Sequence, residues 1–314
     1  MNIVFMGTPE FSIPTLTKLY RSHHNVQLIV TQPDRPKGRG RESTPSPVKQ
    51  FALENNIPIL QPKKCTDLEV VKTLGMLNAD FFIVVAFGQI LDKALLALPL
   101  HFCINLHSSL LPKYRGAAPI NWSIINGETE AGITTMKMDV GLDTGDILLA
   151  HKIPINDDDD AQSLHDTLAQ KGSDLVLETL NQFDFGSLEG TSQNIELASY
   201  APKLKKEDGL IQWDQPAVKI HNLVRGLAPW PGAFSFLESK RFKICKTEIK
   251  SCDSSNQPGV ILRISGCGIE VGTQSKKIII TELQPEGKKR MDVKSFLAGH
   301  KLSIGSKFEK QSSL

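Results

Sequence analysis

Residues 103–119 read Cys103-Ile104-Asn105-Leu106-His107-Ser108-Ser109-Leu110-Leu111-Pro112-Lys113-Tyr114-Arg115-Gly116-Ala117-Ala118-Pro119. The apolar opening has the character of a buried strand, and the Ser, Pro and Gly residues after it take the chain out of a sheet. Asn105 and His107 are two apart, so a strand points both the same way. Polar groups on one face of a buried strand need partners, or else they do chemistry. Downstream, Asp139-Val140-Gly141-Leu142-Asp143-Thr144-Gly145-Asp146 sets carboxylates among glycines. An amide donor, an imidazole that exchanges a proton near neutral pH and a carboxylate that orients it or relays a proton are the parts needed to handle a carbonyl. A histidine at a strand end is more often a hydrogen-bonded structural residue, and spacing alone does not bring Asp143 to His107.

On the N-terminal side, apolar runs alternate with helical patterns. Asn2–Met6 reads as a first strand, turned by Gly7-Thr8-Pro9-Glu10 into a helix reaching about Tyr20. That corner suits an anion, because free helix N–H groups point out of it, yet the dinucleotide fingerprint G-x-G-x-x-G is absent. Val26–Thr31 is the next strand. Residues 32–49 then form a long loop rich in Pro and Gly, where no regular structure is expected; it carries Arg35, Lys37, Arg39, Arg41 and Lys49. A long basic loop with glycine hinges suits a phosphate backbone. Asp80–Phe87 is a continuous apolar run of the kind buried on both faces in a parallel sheet. It ends at Phe87-Gly88-Gln89-Ile90-Leu91, and ligands of open parallel sheets bind beyond the C-terminal strand ends. Residues 87–91 and 105–112 are therefore candidate walls of one pocket. Strands at Gly132–Met138 and Ile147–Ile155 follow, then a helix from about Ala161 to Phe183. The acidic run Asp157–Asp160 before it complements the helix dipole and reads as a cap, not a metal site.

The pattern changes after a polar stretch. We expect a Rossmann-like, mainly parallel α/β domain over residues 1–189, a linker over 190–206 and a second domain over 207–314. In the last of these, Ala233–Leu237, Phe242–Glu248, Gly259–Ile264, Gly268–Val271 and Lys277–Leu283 are short β-like runs at turn spacing, expected to form a small OB-like β-barrel. Charge divides along the same line. Residues 1–200 hold 16 basic and 23 acidic side chains, whereas residues 201–314 hold 20 and 11, a net of −7 against +9. That asymmetry suggests a polyanionic partner for the C-terminal part.

Other features bound the class. No apolar run approaches the roughly 20 residues of a membrane span, so no membrane partner is expected. The first strand starts at once, with no basic segment or cleavage site of a signal peptide. The five cysteines, Cys65, Cys103, Cys245, Cys252 and Cys267, are scattered and lack metal-ligand spacing. They fit reduced thiols in a cytoplasmic protein that needs no metal, and Cys103, with apolar flanks, reads as a small core residue.

The pattern Asn-x-His-x-Ser-Leu-Leu-Pro-x-x-Arg-Gly-Ala-Ala-Pro, followed by Met138-Asp139-Val140-Gly141-Leu142-Asp143-Thr144-Gly145-Asp146, resembles the folate-dependent formyltransferase family. Phe5-Met6-Gly7-Thr8-Pro9-Glu10-Phe11, Thr31–Gly40, Pro45–Lys49, Tyr200–Gly209 and Pro229-Trp230-Pro231-Gly232-Ala233 extend the resemblance over nearly the whole chain, to the methionyl-tRNA formyltransferase branch. The resemblance implies a catalytic trio of Asn105, His107 and Asp143. It implies 10-formyltetrahydrofolate as donor, bound by Phe87, Gly88, Gln89, Ile90, Leu91, Ser109, Leu110, Leu111, Pro112, Asp139, Val140 and Gly141. It implies methionyl initiator tRNA as acceptor, held by Arg35, Lys37, Arg39, Arg41, Lys203, Lys205, Lys206, Lys288, Lys289 and Arg290, with Arg39 foremost. A monomer is the family expectation. Glu42 departs from the family, whose members continue basic residues there, and this weakens the case for Arg41 more than for Arg39. Formyl transfer to an amino-sugar nucleotide, hydrolysis of the formyl-folate, and RNA binding without catalysis are the competing readings. The basic loop and basic C-terminal part speak against the first two, and the intact trio against the third.

Overall fold

In the computed structural model, which describes residues 1–37, 42–250 and 257–310, the alternating pattern becomes one seven-stranded sheet. Its strands are β1 (Asn2–Gly7), β2 (Asn25–Val30), β5 (Ile59–Leu60), β6 (Phe81–Val85), β7 (Phe102–His107), β9 (Glu130–Lys137) and β10 (Ile147–Pro154). Between them come a short hairpin, β3 (Arg35–Lys37) with β4 (Glu42–Thr44), and the two-residue β8 (Arg115–Gly116). The sheet order is β10-β9-β7-β6-β1-β2-β5. The pairs from β5 through β7 are parallel; β9 then pairs antiparallel with β7, and β10 pairs antiparallel with β9 at the edge. The helices are α1 (Ile13–Arg21), α2 (Pro47–Glu54), α3 (Leu68–Gly75), α4 (Lys93–Leu96), α5 (Pro119–Ile125) and α6 (Ala161–Asp184). β1 and β6, neighbours here, are built from distant parts of the chain, which makes their junction the switch point where open sheets bind ligands.

The loop over 32–49 differs from expectation. Arg35, Pro36 and Lys37 pair antiparallel with Thr44, Ser43 and Glu42. Proline is tolerated because a two-stranded ribbon has edges on both sides, where an N–H is dispensable. Asp160 caps α6 as its charge suggests, accepting from the amides of Gln162 and Ser163 at 2.9 Å each.

By compactness the chain divides into two units: Met1–Pro119, Glu130–Pro154 and His165–Ala201 make the first, and Ile120–Thr129, Ile155–Leu164 and Pro202–Leu314 the second. After β11 (Tyr200–Ala201), the second unit holds α7 (Ala217–Gly226), β12 (Ala233–Leu237), β13 (Lys240–Lys250), β14 (Ile261–Ser265), β15 (Gly268–Gly272), β16 (Lys277–Pro285), β17 (Met291–Asp292) and α8 (Val293–Gly299). These strands pair antiparallel in the order β12-β13-β16-β15-β14, with β17 on β16. The open ends are joined by the C-terminal tail. Phe308 N donates to Gly259 O at 2.8 Å beside β14, and Glu309 N donates to Phe236 O of β12 at 2.8 Å. The tail thus closes the sheet into the expected small barrel and removes its free edges. Trp213, Ile244, Ile269, Ile278, Phe296 and Phe308 fill it. Within this unit α5 meets α7 closely: a Cβ on Gly226 would lie 2.6 Å from Ile125 Cγ1.

Candidate active site

The site grows out of β7. Cys103 lies in an apolar cluster with Val4, Met6, Phe82 and Val84. Asn105 points the same way but is half-buried, and His107 ends the strand. Ile104 and Leu106 face the opposite side, where α6 approaches so closely that a Cβ on Gly172 would sit 2.7 Å from Leu106 Cδ2. One strand therefore anchors a helix with alternate residues and, with the others, carries core side chains that turn polar toward its C-terminal end.

His107 is buried, with 7% of its side chain exposed. Its Nδ1 lies 3.7 Å from Asp143 Oδ2, and its Nε2 lies 3.0 Å from the carbonyl oxygen of Tyr114. Both ring nitrogens thus face oxygens, a carboxylate on one side and a backbone carbonyl on the other. The Asn105 carboxamide has no hydrogen-bond partner among the described residues.

Asp143 stands 36 residues further along the chain, on the loop between β9 and β10, and the fold brings it to His107. Its φ is 54°, in the left-handed region. Its Oδ2 accepts from Gly116 N at 2.8 Å. Its carbonyl accepts from Gln193 Nε2 at 2.9 Å, and the same Nε2 donates to Gly145 O at 2.7 Å. Asp139 folds the start of the loop back, its Oδ1 accepting from Gly141 N at 3.0 Å and Thr144 Oγ1 at 2.7 Å.

The residues expected to hold folate fall into two groups. Phe87 and Leu91 are buried in the apolar cluster under the sheet end. The Gln89 amide is also taken, accepting from Cys65 N at 2.7 Å and donating to Pro62 O at 3.0 Å. Ser109 donates to Lys113 O at 2.6 Å, and Leu111 is buried. Ile90 and Val140 are exposed apolar side chains, as is Leu142, which was not among those expected, and Gly88 has a φ of 79°. Gln32, which sequence reasoning passed over, holds that turn by donating to Phe87 O at 3.1 Å and Gly88 O at 2.8 Å.

The basic residues are unevenly available. Arg35 is exposed and donates to Gln32 Oε1 at 2.6 Å. Lys37 ends β3. Arg39 and Arg41 lie outside the described residues. Lys49 is tied to Asp34 at 2.5 Å, and that bond, with one from Gln61, holds the Asp34 carboxyl below its usual range. In the second unit Lys203, Lys205, Lys206, Lys288 and Lys289 are exposed. Arg290 is also exposed but pairs with Glu282 at 2.6 Å, which raises its pKa.

Sequence reasoning also missed Arg115 as a side chain, and Gln193 altogether. Arg115 sits inside the motif that was read, but a buried arginine there has no local signal. Gln193 lies in a polar stretch 50 residues from Asp143, and only the fold joins them.

A mainly parallel sheet with an unpartnered amide and an imidazole–carboxylate pair at the C-terminal end of one strand is an arrangement able to act on a carbonyl, the chemistry of group-transfer enzymes. Two family models agree: "Formyl transferase" matches residues 1–180, and "Formyl transferase, C-terminal domain" matches 203–301. The chain is 53% identical over 305 residues to the methionyl-tRNA formyltransferase of Citrifermentans bemidjiense, covering 97% of this chain and 95% of that one. It is 52% identical over 307 residues to that of Geobacter sulfurreducens, covering 98% and 96%. Among solved structures, the sugar 3N-formyl transferase WlaRD, crystallised in the presence of dTDP and 5-N-formyl-THF, shares the fold. Its TM-score is 0.67 at 20% identity, covering 92% of this chain and 99% of that one. The chain belongs to the methionyl-tRNA formyltransferase family.

Proposed function

We propose that this chain transfers the formyl group of 10-formyltetrahydrofolate to the α-amino group of methionyl initiator tRNA, ahead of translation initiation. The observation that carries the reading is identity near one half with methionyl-tRNA formyltransferases over 97% of the chain, including both matched regions. In the reaction the amine nitrogen bonds to the formyl carbon, and the bond from that carbon to the folate nitrogen breaks. The proton lost by the amine balances the one gained by the folate nitrogen. An α-amine titrates near 8, so a useful fraction is already nucleophilic at neutral pH. The demanding species is the tetrahedral oxyanion. Asn105 is its open donor, and one well-placed donor stabilises such an intermediate by about 3 kcal/mol. Asp143, which also orients His107 beside it, receives the amine proton directly or through water and returns it to the departing nitrogen.

Exposed Ile90, Val140 and Leu142 with the backbone of Gly88 suit the flat, partly apolar folate. Residues 1–189 carry the chemistry, 207–314 hold the acceptor arm, and 190–206 lie between. Arg39 and the exposed lysines at 203, 205, 206, 288 and 289 take the phosphates. Such a reaction belongs in the cytoplasm, where the tRNA is charged, and one chain supplies every part of it.

The assignment separates into binding and chemistry. Asn105→Ala and Asp143→Ala are expected to lower kcat about 10²-fold or more while leaving the Kd for methionyl-tRNA unchanged. Arg39→Ala is expected to raise that Kd with folding intact. Steady-state kinetics, filter binding and thermal melts on the three variants check this. Equal losses of folding stability in all three would remove the assignment.

A further inference from the structure

The stretch read as a linker laces the site from outside. Thr191 exchanges backbone bonds of 2.8 Å with Ile147 at the start of β10. Ser199 O accepts from Arg115 N at 2.8 Å, and Ser199 Oγ accepts from Tyr114 N at 2.9 Å. β11 then pairs with β8. Between these ties sits Gln193. Its Oε1 accepts twice from Arg115, from Nε at 3.1 Å and from Nη2 at 2.7 Å. Its Nε2 donates twice, to Asp143 O and Gly145 O. All four hydrogen-bonding positions of the amide are filled. Arg115, 2% exposed, offers only donors, so it fixes which end of the amide is the oxygen. The nitrogen must then face the loop that carries Asp143.

That loop needs holding. Asp143 has a left-handed backbone, a conformation that costs a residue with a Cβ energy even though aspartate tolerates it better than most. Its carboxylate is set by Gly116 N, which belongs to β8, and its carbonyl by Gln193. The two bonds grip the residue from its side chain and from its main chain.

We propose that Gln193, oriented by Arg115, is a positioning residue for Asp143: it fixes the backbone from which the carboxylate reaches His107. The proposal rests on the formyl-transfer reading and adds a residue to it. Gln193→Glu is the informative variant. It keeps an acceptor for Arg115, so the buried guanidinium is not orphaned, but it turns an oxygen toward the carbonyls of Asp143 and Gly145. Ser192→Ala is the control; it removes a neighbouring bond, to Asp146 Oδ1 at 3.0 Å, without touching Asp143.

The experiment is formyl transfer with full-length wild type, Gln193→Glu, Ser192→Ala, Asp143→Asn and the Gln193→Glu/Asp143→Asn double variant, with melts of each. Gln193→Glu is expected to lower kcat roughly 10- to 100-fold, the scale of a slight misplacement in a catalytic group, with both KM values and the melting temperature little changed. Ser192→Ala should match wild type. In single turnovers on the Asp143→Asn background, Gln193→Glu should cost little more, because the two act through one group. An unchanged kcat, an equal loss in Ser192→Ala, or a full additional loss in the double variant would overturn the proposal. Wild type that transfers no formyl group would instead overturn the functional reading, so the two failures are distinct.

Discussion

At His107 a carboxylate and a carbonyl each face one ring nitrogen, and the Asn105 carboxamide on the same strand has no hydrogen-bond partner among the described residues. Alternation along β7 made the Asn105–His107 pair legible in the sequence, because a two-residue period is local. The partner of Nε2, the Tyr114 carbonyl, was not legible, since backbone atoms carry no residue signature. The burial of Cys103 followed from its apolar flanks, and burial pushes its thiol up to about 12. His24 is a different case. Burial first, then His23 and the N-terminal amine, lowers its pKa to about 4 from 6.5, and neither ring nitrogen has a partner. The folded state therefore resists a proton that the unfolded chain takes up near 6.5. This group costs the fold nothing above pH 6.5 and destabilises it progressively as pH falls toward 4. His24→Phe is expected to flatten the pH dependence of the urea midpoint between pH 6.5 and 4. Parallel curves for variant and wild type would mean that other groups set that slope.

At the scale of elements, strands and helices followed their periodicity, from the continuous apolar run of β6 to the short runs of the barrel. Two loops did not. The hairpin of β3 and β4 was hidden by Pro36, which lacks an N–H and argues against a strand unless its nitrogen faces an open edge. The loop over 139–146 showed its glycines but not their reason. A Cβ on Gly145 would come within 1.7 Å of Lys137 O and 2.9 Å of Lys137 C, so glycine there lets the loop turn back across the end of β9. Gly145→Ala must displace the loop. It is expected to cost more than about 2 kcal/mol of stability and, by moving Asp143, most of the turnover. Chemical denaturation and kinetics on one preparation test both, and a variant as stable and active as wild type would show that the loop has room to shift.

For the whole molecule, charge is the property that sequence revealed and single contacts did not. The net of +9 over residues 201–314 opposes −7 over the rest, and a polyanion bound by the basic part releases counterions. The KM for methionyl-tRNA should rise steeply with salt, with a log–log slope of several, whereas the KM for the folate should change little. A flat tRNA dependence would remove the phosphate role of the exposed lysines. Closure of the barrel by residues 305–309 was not legible, because those residues are too polar and too few to read as a strand. They act by pairing with edges made more than 40 residues earlier. The central claim, that this chain formylates methionine on initiator tRNA, is tested most directly by following labelled formyl from 10-formyltetrahydrofolate. Methionylated initiator tRNA, methionylated elongator tRNA and free methionine are compared as acceptors. Label on the initiator tRNA alone is the predicted result; formate released with no labelled tRNA, or label on free methionine as readily as on the tRNA, would contradict it.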